Sequence, residues 1–192
     1  MRKGMIFAGL LALGFVAWLS RPAASLPEAE TYEVDTVHTS VVFRIVHLGV
    51  APFYGRFNKT TGSFTLQEGG TGAVEITIDA TSVDTANEKR DGHLKSPDFF
   101  SVEQYPEITF KGEVKHVSGS TYEAKGTLSL HGVSKEITIP LERLGSVEAM
   151  GAYRTGFEGS FTVKRSDYGM NWNPGALGDE VKLMLGVEGT RK

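Results

Sequence analysis

The sequence predicts an all-β domain of eight or nine antiparallel strands, folded back on itself as a sandwich or a closed barrel. Three observations carry that expectation. Apolar residues recur at every second position through most of the chain, the period of a half-buried strand. Short Gly, Ser or Asn turns join the alternating runs, as in a meander. Each run has one apolar face, which the sheet has to bury against itself. A barrel would also remove the exposed edges that endanger a β protein without disulfides.

The chain of 192 residues opens on Arg2 and Lys3, an apolar run of fifteen residues from Met5 to Leu19, and then Ala23, Ala24 and Ser25. That is the plan of a secretory signal peptide over residues 1–25, with cleavage just after Ala24 or Ser25. The run is shorter than the roughly 20 residues that span a bilayer. Left uncleaved, it would be an N-terminal anchor. Residues 26–192 then form one domain, periplasmic or secreted. There is no cysteine, so no disulfide and no thiolate zinc site. Losing Arg2, Lys3 and Arg21 with the leader takes the formal charge from −3 to −6. An acidic body argues against nucleic acid and against docking on anionic lipid.

From Thr31 the pattern is strand-like. Val41, Phe43 and Ile45 share one face, and Gly49 to Pro52 breaks that strand. Arg56 to Lys59 and Gly62 to Gln67 read as a short pair, followed by a turn at Glu68-Gly69-Gly70. Val74, Ile76 and Ile78 alternate cleanly with Glu75, Thr77 and Asp79. After an insert, Ile108 and Phe110 resume the alternation. Ser118-Gly119-Ser120 turns the chain into Tyr122, Ala124, Gly126, Leu128 and Leu130, and His131-Gly132 turns it into Ile137, Ile139 and Leu141. Phe157, Gly159, Phe161 and Val163 give the next face. A long loop from Arg165 to Gly178 precedes Val181, Leu183, Leu185 and Val187. Inward Ala124, Gly126 and Gly159 suit either an internal cavity or strand bending at a barrel corner.

The insert lies within Val83 to Lys111. Ala86 to Lys95 reads as a short, highly charged helix. Ser96-Pro97 reads as the N-cap and first-turn proline of a second turn presenting Phe99 and Phe100. Tyr105-Pro106 ends the excursion. A polar helix carrying an apolar wedge, set among strands, is suited to be a lid or end-plug of a barrel.

Little in the residues points to chemistry. The five histidines show no metal-ligand spacing, and His38 and His47 are nine apart on one strand or its continuation. Arg90, Asp91 and His93 suit either an acid–base cluster or a tie between the insert and the barrel rim. There is no Gly-x-Ser-x-Gly elbow, no cysteine nucleophile and no phosphate-binding glycine loop. The expectation is therefore a protein that is not an enzyme and holds neither metal nor required cofactor. The aromatic set Phe43, Phe57, Phe64, Phe99, Phe100, Phe110, Phe157, Phe161 and Trp172 fits a filled core or the wall of a tunnel equally well.

A series of short motifs carries a resemblance. Asp35-x-x-His38-Thr39-x-Val41-x-Phe43 and His47-Leu48-Gly49 are followed by Gly55-x-Phe57, Gly62-x-Phe64 and Val83-Asp84-Thr85. Then come the run from Arg90 to Ser96, Asp98-Phe99-Phe100 and Tyr105-Pro106-x-Ile108-x-Phe110. Gly126-x-Leu128-x-Leu130-x-Gly132-Val133 and Arg165-x-Asp167-x-Gly169 complete the order. From Tyr32 to Gly189 the chain resembles the YceI-like, polyisoprenoid-binding protein family, with Thr39 where that family usually has serine. The resemblance implies an extended lipocalin-like antiparallel β-barrel of about eight strands with a short helical insert at about 86–101. It implies export to the periplasm, a homodimer, links to stress responses, and a cavity for a long isoprenoid or other lipid-like chain. It therefore favours a hollow barrel over a filled one.

A carrier for an isoprenoid quinone, polyprenyl lipid or fatty amide follows from it. Phe43, Ile45, Phe57, Phe64, Ile76, Phe110, Leu128, Phe161 and Leu183 would line the tunnel, and Phe99 and Phe100 would gate one end. His38, Arg90, His93 or Arg165 would hold a polar headgroup at the mouth. Two alternatives are an enzyme acting on a bound isoprenoid or quinone, with Asp91 and His93 as its acid–base pair, and a solid-core interaction module.

Overall fold

The computed structural model describes residues 29–191; the expected signal peptide lies outside them. The strands are β1 (Glu30–Val34), β2 (Ser40–His47), β3 (Ala51–Phe57), β4 (Thr60–Leu66), β5 (Gly72–Asp79), β6 (Val83–Asp84), β7 (Glu107–Ser118), β8 (Thr121–Leu130), β9 (Val133–Ala149), β10 (Ala152–Lys164) and β11 (Glu180–Arg191). One helix, α1 (Glu88–Lys95), follows β6. Every strand pair is antiparallel. The order β1-β4-β5-β7-β8-β9-β10-β11 closes on itself through β11 and β1. The fold is an antiparallel eight-stranded, lipocalin-like barrel with extra strands.

Those extra strands continue three of the eight staves. β1 pairs with the end of β11, Val34 opposite Gly189, while β2 pairs with its first half, Arg44 opposite Lys182. β1 and β2 are thus two lengths of one stave. β3 and β4 form the next, and β5 and β6 the third. This overturns the expected hairpin between Arg56–Lys59 and Gly62–Gln67. Asn58 and Lys59 bend the chain without reversing it. The Asn58 N–H donates to the Ser82 carbonyl at 3.1 Å and the Asp79 N–H to the Lys59 carbonyl at 3.0 Å. Those bonds stitch the break in one stave to the break in the next. Pro52, expected in a strand break, lies inside β3, opposite Val46. β6 covers the far side of β3 only at Arg56 and Phe57, so the missing N–H of Pro52 leaves no ladder bond unmade.

Three hairpins turn on two left-handed residues each, Leu48-Gly49, His131-Gly132 and Met150-Gly151, the backbone that matches strand twist in a two-residue turn. The two inward glycines let neighbouring strands approach closely. A Cβ on Gly126 would lie 2.2 Å from the Lys111 carbonyl oxygen and 2.6 Å from the Gly112 Cα, and one on Gly159 would lie 2.7 Å from the Pro140 oxygen. Backbone from the neighbouring strand already fills the space.

α1 starts later than the expected Ala86. Asn87 is the N-cap, its side-chain oxygen accepting from the Arg90 N–H at 3.0 Å. Ser96 caps the C-terminus of α1 and also opens the expected second turn, its Oγ accepting from the Asp98 N–H at 3.3 Å. Residues 97–100 are turns tied by Phe99 N–H to Ser96 O and Phe100 N–H to Leu94 O. Proline there restrains the turn, and too few residues remain for helical bonds.

Candidate ligand-binding cavity

Alternation sends one row of side chains from each stave into the barrel. At the end holding Glu30 and the β9–β10 hairpin the rows meet. Tyr32 stacks on Phe64 with ring centroids 5.1 Å apart, and Phe157 stands edge-on to Phe64 and Tyr122 at 5.7 and 5.3 Å. Towards α1 the rows stop short of one another and leave a cavity of about 350 Å³, within the roughly 300–1,000 Å³ typical of small-molecule sites. Phe43, Ile45, Phe57, Ile76, Phe110, Leu128, Phe161 and Leu183 line it from the strands, and Phe99 and Phe100 from the turn after α1. The polar residues of the wall are His47, Thr60, Arg90, His93 and Arg165. His47, Arg90, His93 and Trp172 are also exposed, and all four lie at the α1 end, so the cavity opens there.

Two pieces flank that opening. α1 is fastened to the rim through Thr85. The Thr85 hydroxyl donates to Asp91 Oδ1 and accepts from Arg90 Nε at 2.8 Å. The Thr85 N–H donates to the same Asp91 oxygen at 2.9 Å, and Arg90 Nη2 donates to the Thr85 carbonyl at 2.7 Å. Arg90 and Asp91 thus meet through a hydroxyl instead of as an ion pair. The Arg90 guanidinium lies 4.3 Å from the centre of the Phe53 ring, a cation–π contact.

The second piece is the loop between β10 and β11, built on Arg165. Only 4% exposed, Arg165 donates Nε to Gly178 O at 2.9 Å, Nη1 to Met170 O and Trp172 O at 2.7 and 2.8 Å, and Nη2 to Leu177 O at 3.2 Å. A rigid fork of donors is well matched to several carbonyls at once. The two pieces meet in a ring cluster. His93 stands edge-on to Phe99 and Trp172 at 5.1 and 4.8 Å, and Phe99 and Trp172 are 5.3 Å apart.

Two of the sequence-assigned residues lie elsewhere. Phe64 does not reach the cavity; it is part of the packed end, where the β4 half of its stave lies beside β1. His38 is not at the mouth. It sits where the first stave breaks between β1 and β2, its Nδ1 3.0 Å from Asp35 Oδ2. The guanidinium of Arg165 is committed to loop carbonyls, so it braces the mouth. His93 Nε2 lies 2.8 Å from Asp98 Oδ2 while Asp91 is bound to Thr85, so the pair that the enzyme alternative would use is not assembled. The sequence reading missed Phe53, Met170 and Leu177 on the wall. Phe53 follows Pro52, where a strand break was expected, and the other two lie in a loop without periodicity. Trp172, one of the aromatic set, stands at the mouth, which its place in the loop does not reveal.

One polar cluster lies on the outside. Asp35, His38 and Glu188 bring potential ligand atoms within 4.8 Å of one another. Arg154 Nη1 already lies 2.7 Å from Asp35 and 2.6 Å from Glu188, so a guanidinium supplies the positive charge. The hydrogen bonds from His38, Arg154 and the Val37 N–H hold the Asp35 carboxyl far below the usual carboxylate range. Asp35 in turn raises His38.

Residues 32–189 match the YceI-like domain. The chain belongs to the YceI-like family. A UPF0312 protein of Pseudomonas paraeruginosa is 41% identical over 187 residues, covering 95% of this chain and 96% of that one. The crystal structure of the Campylobacter jejuni YceI protein is similar at a TM-score of 0.69 and 29% identity, covering 77% of this chain and 90% of that one. A polyisoprenoid-binding domain from Saccharophagus degradans, at 18% identity and a TM-score of 0.65 over 84% of this chain and 98% of that one, shares the fold. In this YceI-like barrel some motif residues, such as Phe43, Phe57 and Phe110, line the cavity, and others fall at joints. Leu48-Gly49 makes a hairpin turn, Thr85, Arg90 and Asp91 fasten the helix, and Arg165 braces the loop.

Proposed function

We propose that this YceI-like protein is an exported carrier that holds one long amphiphilic chain in its barrel. Isoprenoid quinones, polyprenyl lipids and fatty amides are the candidate cargo. The observation that carries the reading is the cavity, apolar along its strand walls and polar mainly where it opens. Such a site would bind an acyl or isoprenoid chain by burial, at about 0.8 kcal/mol per CH₂ taken out of water. Arg90 and His93 stand where a headgroup would emerge. That a domain of the same fold is described as polyisoprenoid-binding agrees with this reading. Binding without catalysis is favoured because Asp91 and His93 each serve a different partner.

The test is native mass spectrometry of the protein purified from its own cells, followed by solvent extraction. One stoichiometric lipid released on denaturation is the expected result and would identify the cargo. An empty protein that also refuses added isoprenoid and fatty chains would overturn the carrier reading.

A further inference from the structure

The hairpin between β2 and β3 carries apolar side chains into solvent beside the cavity opening. Val50 is 84% exposed, Leu48 59% and Tyr54 51%. Leu48 also has a left-handed backbone, φ 53°, at the first central position of its turn, a place that Asn, Asp or Gly fills with less strain. The turn is well fixed: the Val50 N–H donates to the His47 carbonyl at 3.0 Å, and the Leu48 N–H donates to Ala176 O at 2.6 Å. The chain thus holds a leucine outward in a conformation that leucine disfavours, next to His47 on the cavity wall.

The outer face behind this tip is basic. Val41, Phe43 and Ile45 point into the barrel, as do Val181 and Leu183, so Arg44 and Lys182 point out. They face each other directly across β2 and β11, an arrangement that destabilises a sheet. No ion pair among the described residues takes either of them. Tyr54 lies on the other side of Arg44, and Arg56 is opposite Val42. Across this face Arg44, Arg56, Lys164 and Lys182 outnumber Glu158, Glu180 and Asp84, in a chain whose formal charge is −3. A basic face on an acidic protein, edged by exposed apolar side chains, complements an anionic lipid surface.

We infer that this tip and face dock the protein on an anionic bilayer, with the cavity opening turned towards the lipid. The inference rests on the carrier reading and adds where the cargo is exchanged. Leu48 and Val50 enter the interface between headgroups and acyl chains while Arg44 and Lys182 meet the headgroups. The whole-protein charge had argued against such docking, and its local distribution reverses that argument.

The test is flotation of the protein, as purified from its own cells, with vesicles of phosphatidylcholine and phosphatidylglycerol in equal parts and with phosphatidylcholine vesicles. Uptake of a fluorescent fatty-acid analogue is measured on the same samples. Wild type should bind the anionic vesicles, less tightly as salt rises. The pair Arg44→Gln and Lys182→Gln should weaken partitioning about 25-fold, and the pair Leu48→Asn and Val50→Ser at least about tenfold. Asparagine suits the left-handed turn and Val50 is 84% exposed, so the second variant should fold. Both should keep uptake. Unaltered vesicle binding by both variants would overturn the inference. Uptake without any vesicle binding by wild type would also overturn it while leaving the carrier reading intact. Loss of uptake in wild type would end both. Capture of a protein by wild type but by neither variant, without vesicle binding, would overturn the bilayer as the partner.

Discussion

Phe157 and Phe161 lie on the same inward face of β10, one in the packed end and one on the cavity wall, and truncating each to alanine should give different losses. Phe157 is 6% exposed and stands edge-on to two rings. Truncating a buried Phe costs about 3–5 kcal/mol through lost transfer energy and the void it leaves. The two ring contacts place Phe157 at the upper part of that range, since each adds about 0.5–1.5 kcal/mol beyond burial. At about 2–4 °C per kcal/mol for a domain of this size, the melting temperature of Phe157→Ala should fall by about 8–20 °C. Phe161 borders open space, so its loss widens an existing cavity and removes contacts on one flank only. Its truncation should cost about 1–2 kcal/mol, with a melting shift of about 2–8 °C. Delipidated protein is the right sample, since bound ligand would raise both melting temperatures by mass action. Far-UV circular dichroism during heating reads the result. Equal losses at the two positions, or a larger one at Phe161, would mean the barrel is filled at both levels and would refute the hollow-end reasoning.

Gly126→Ala forces a Cβ onto the backbone of β7 and should cost about 3 kcal/mol or more, seen as loss of soluble protein or of the denaturation transition. Thr85→Val removes the hydroxyl between Arg90 and Asp91; leaving both short of a partner should cost about 1–3 kcal/mol, with faster hydrogen exchange in α1 and faster ligand release. The folded Asp35 carboxyl titrates below its unfolded value of about 3.9, so its contribution is present above that pH and fades as the pH falls further. Asp35→Asn should therefore be less stable than wild type near neutrality, and the gap in denaturation midpoint should close in acid. His38 has the opposite sign. Its folded value is raised, so its contribution is complete below about pH 6.5 and is lost as the pH rises through the folded value, a slope that His38→Gln should lack.

Strand period and turn chemistry made most of the barrel legible. Val41, Phe43 and Ile45, or Val181, Leu183 and Leu185, alternate without interruption as expected, and these faces line the cavity wall. The broken staves were not legible, because alternation cannot distinguish a bend from a reversal. Asn58-Lys59 has the polar composition of a hairpin turn, and only the pairing of β3 with β2 and of β4 with β1 shows that the chain runs on. The mouth was read from its residue types, and type alone misled. Arg165 looked like a headgroup ligand because it is a cation in a loop, yet its guanidinium is used up by carbonyls from Met170 to Gly178. Phe64 has the same alternation as Phe57; what separates them is position along the barrel, which no single strand reports.

β11 closes the barrel. It pairs with β10 along its length, with β2 through Lys182 to Gly186 and with β1 through Gly189 to Arg191. Until β11 has been synthesised, β1, β2 and β10 have open edges and no enclosed volume exists. Synthesis and closure are therefore separate events. The decisive contacts span almost the whole described sequence, which makes folding slow compared with that of a protein of local contacts. A chain that lacks β11 encloses nothing, so any lipid found inside was taken up after the barrel closed. A protein stopped short of Glu180 should be rejected as unfolded instead of persisting as a leaky vessel.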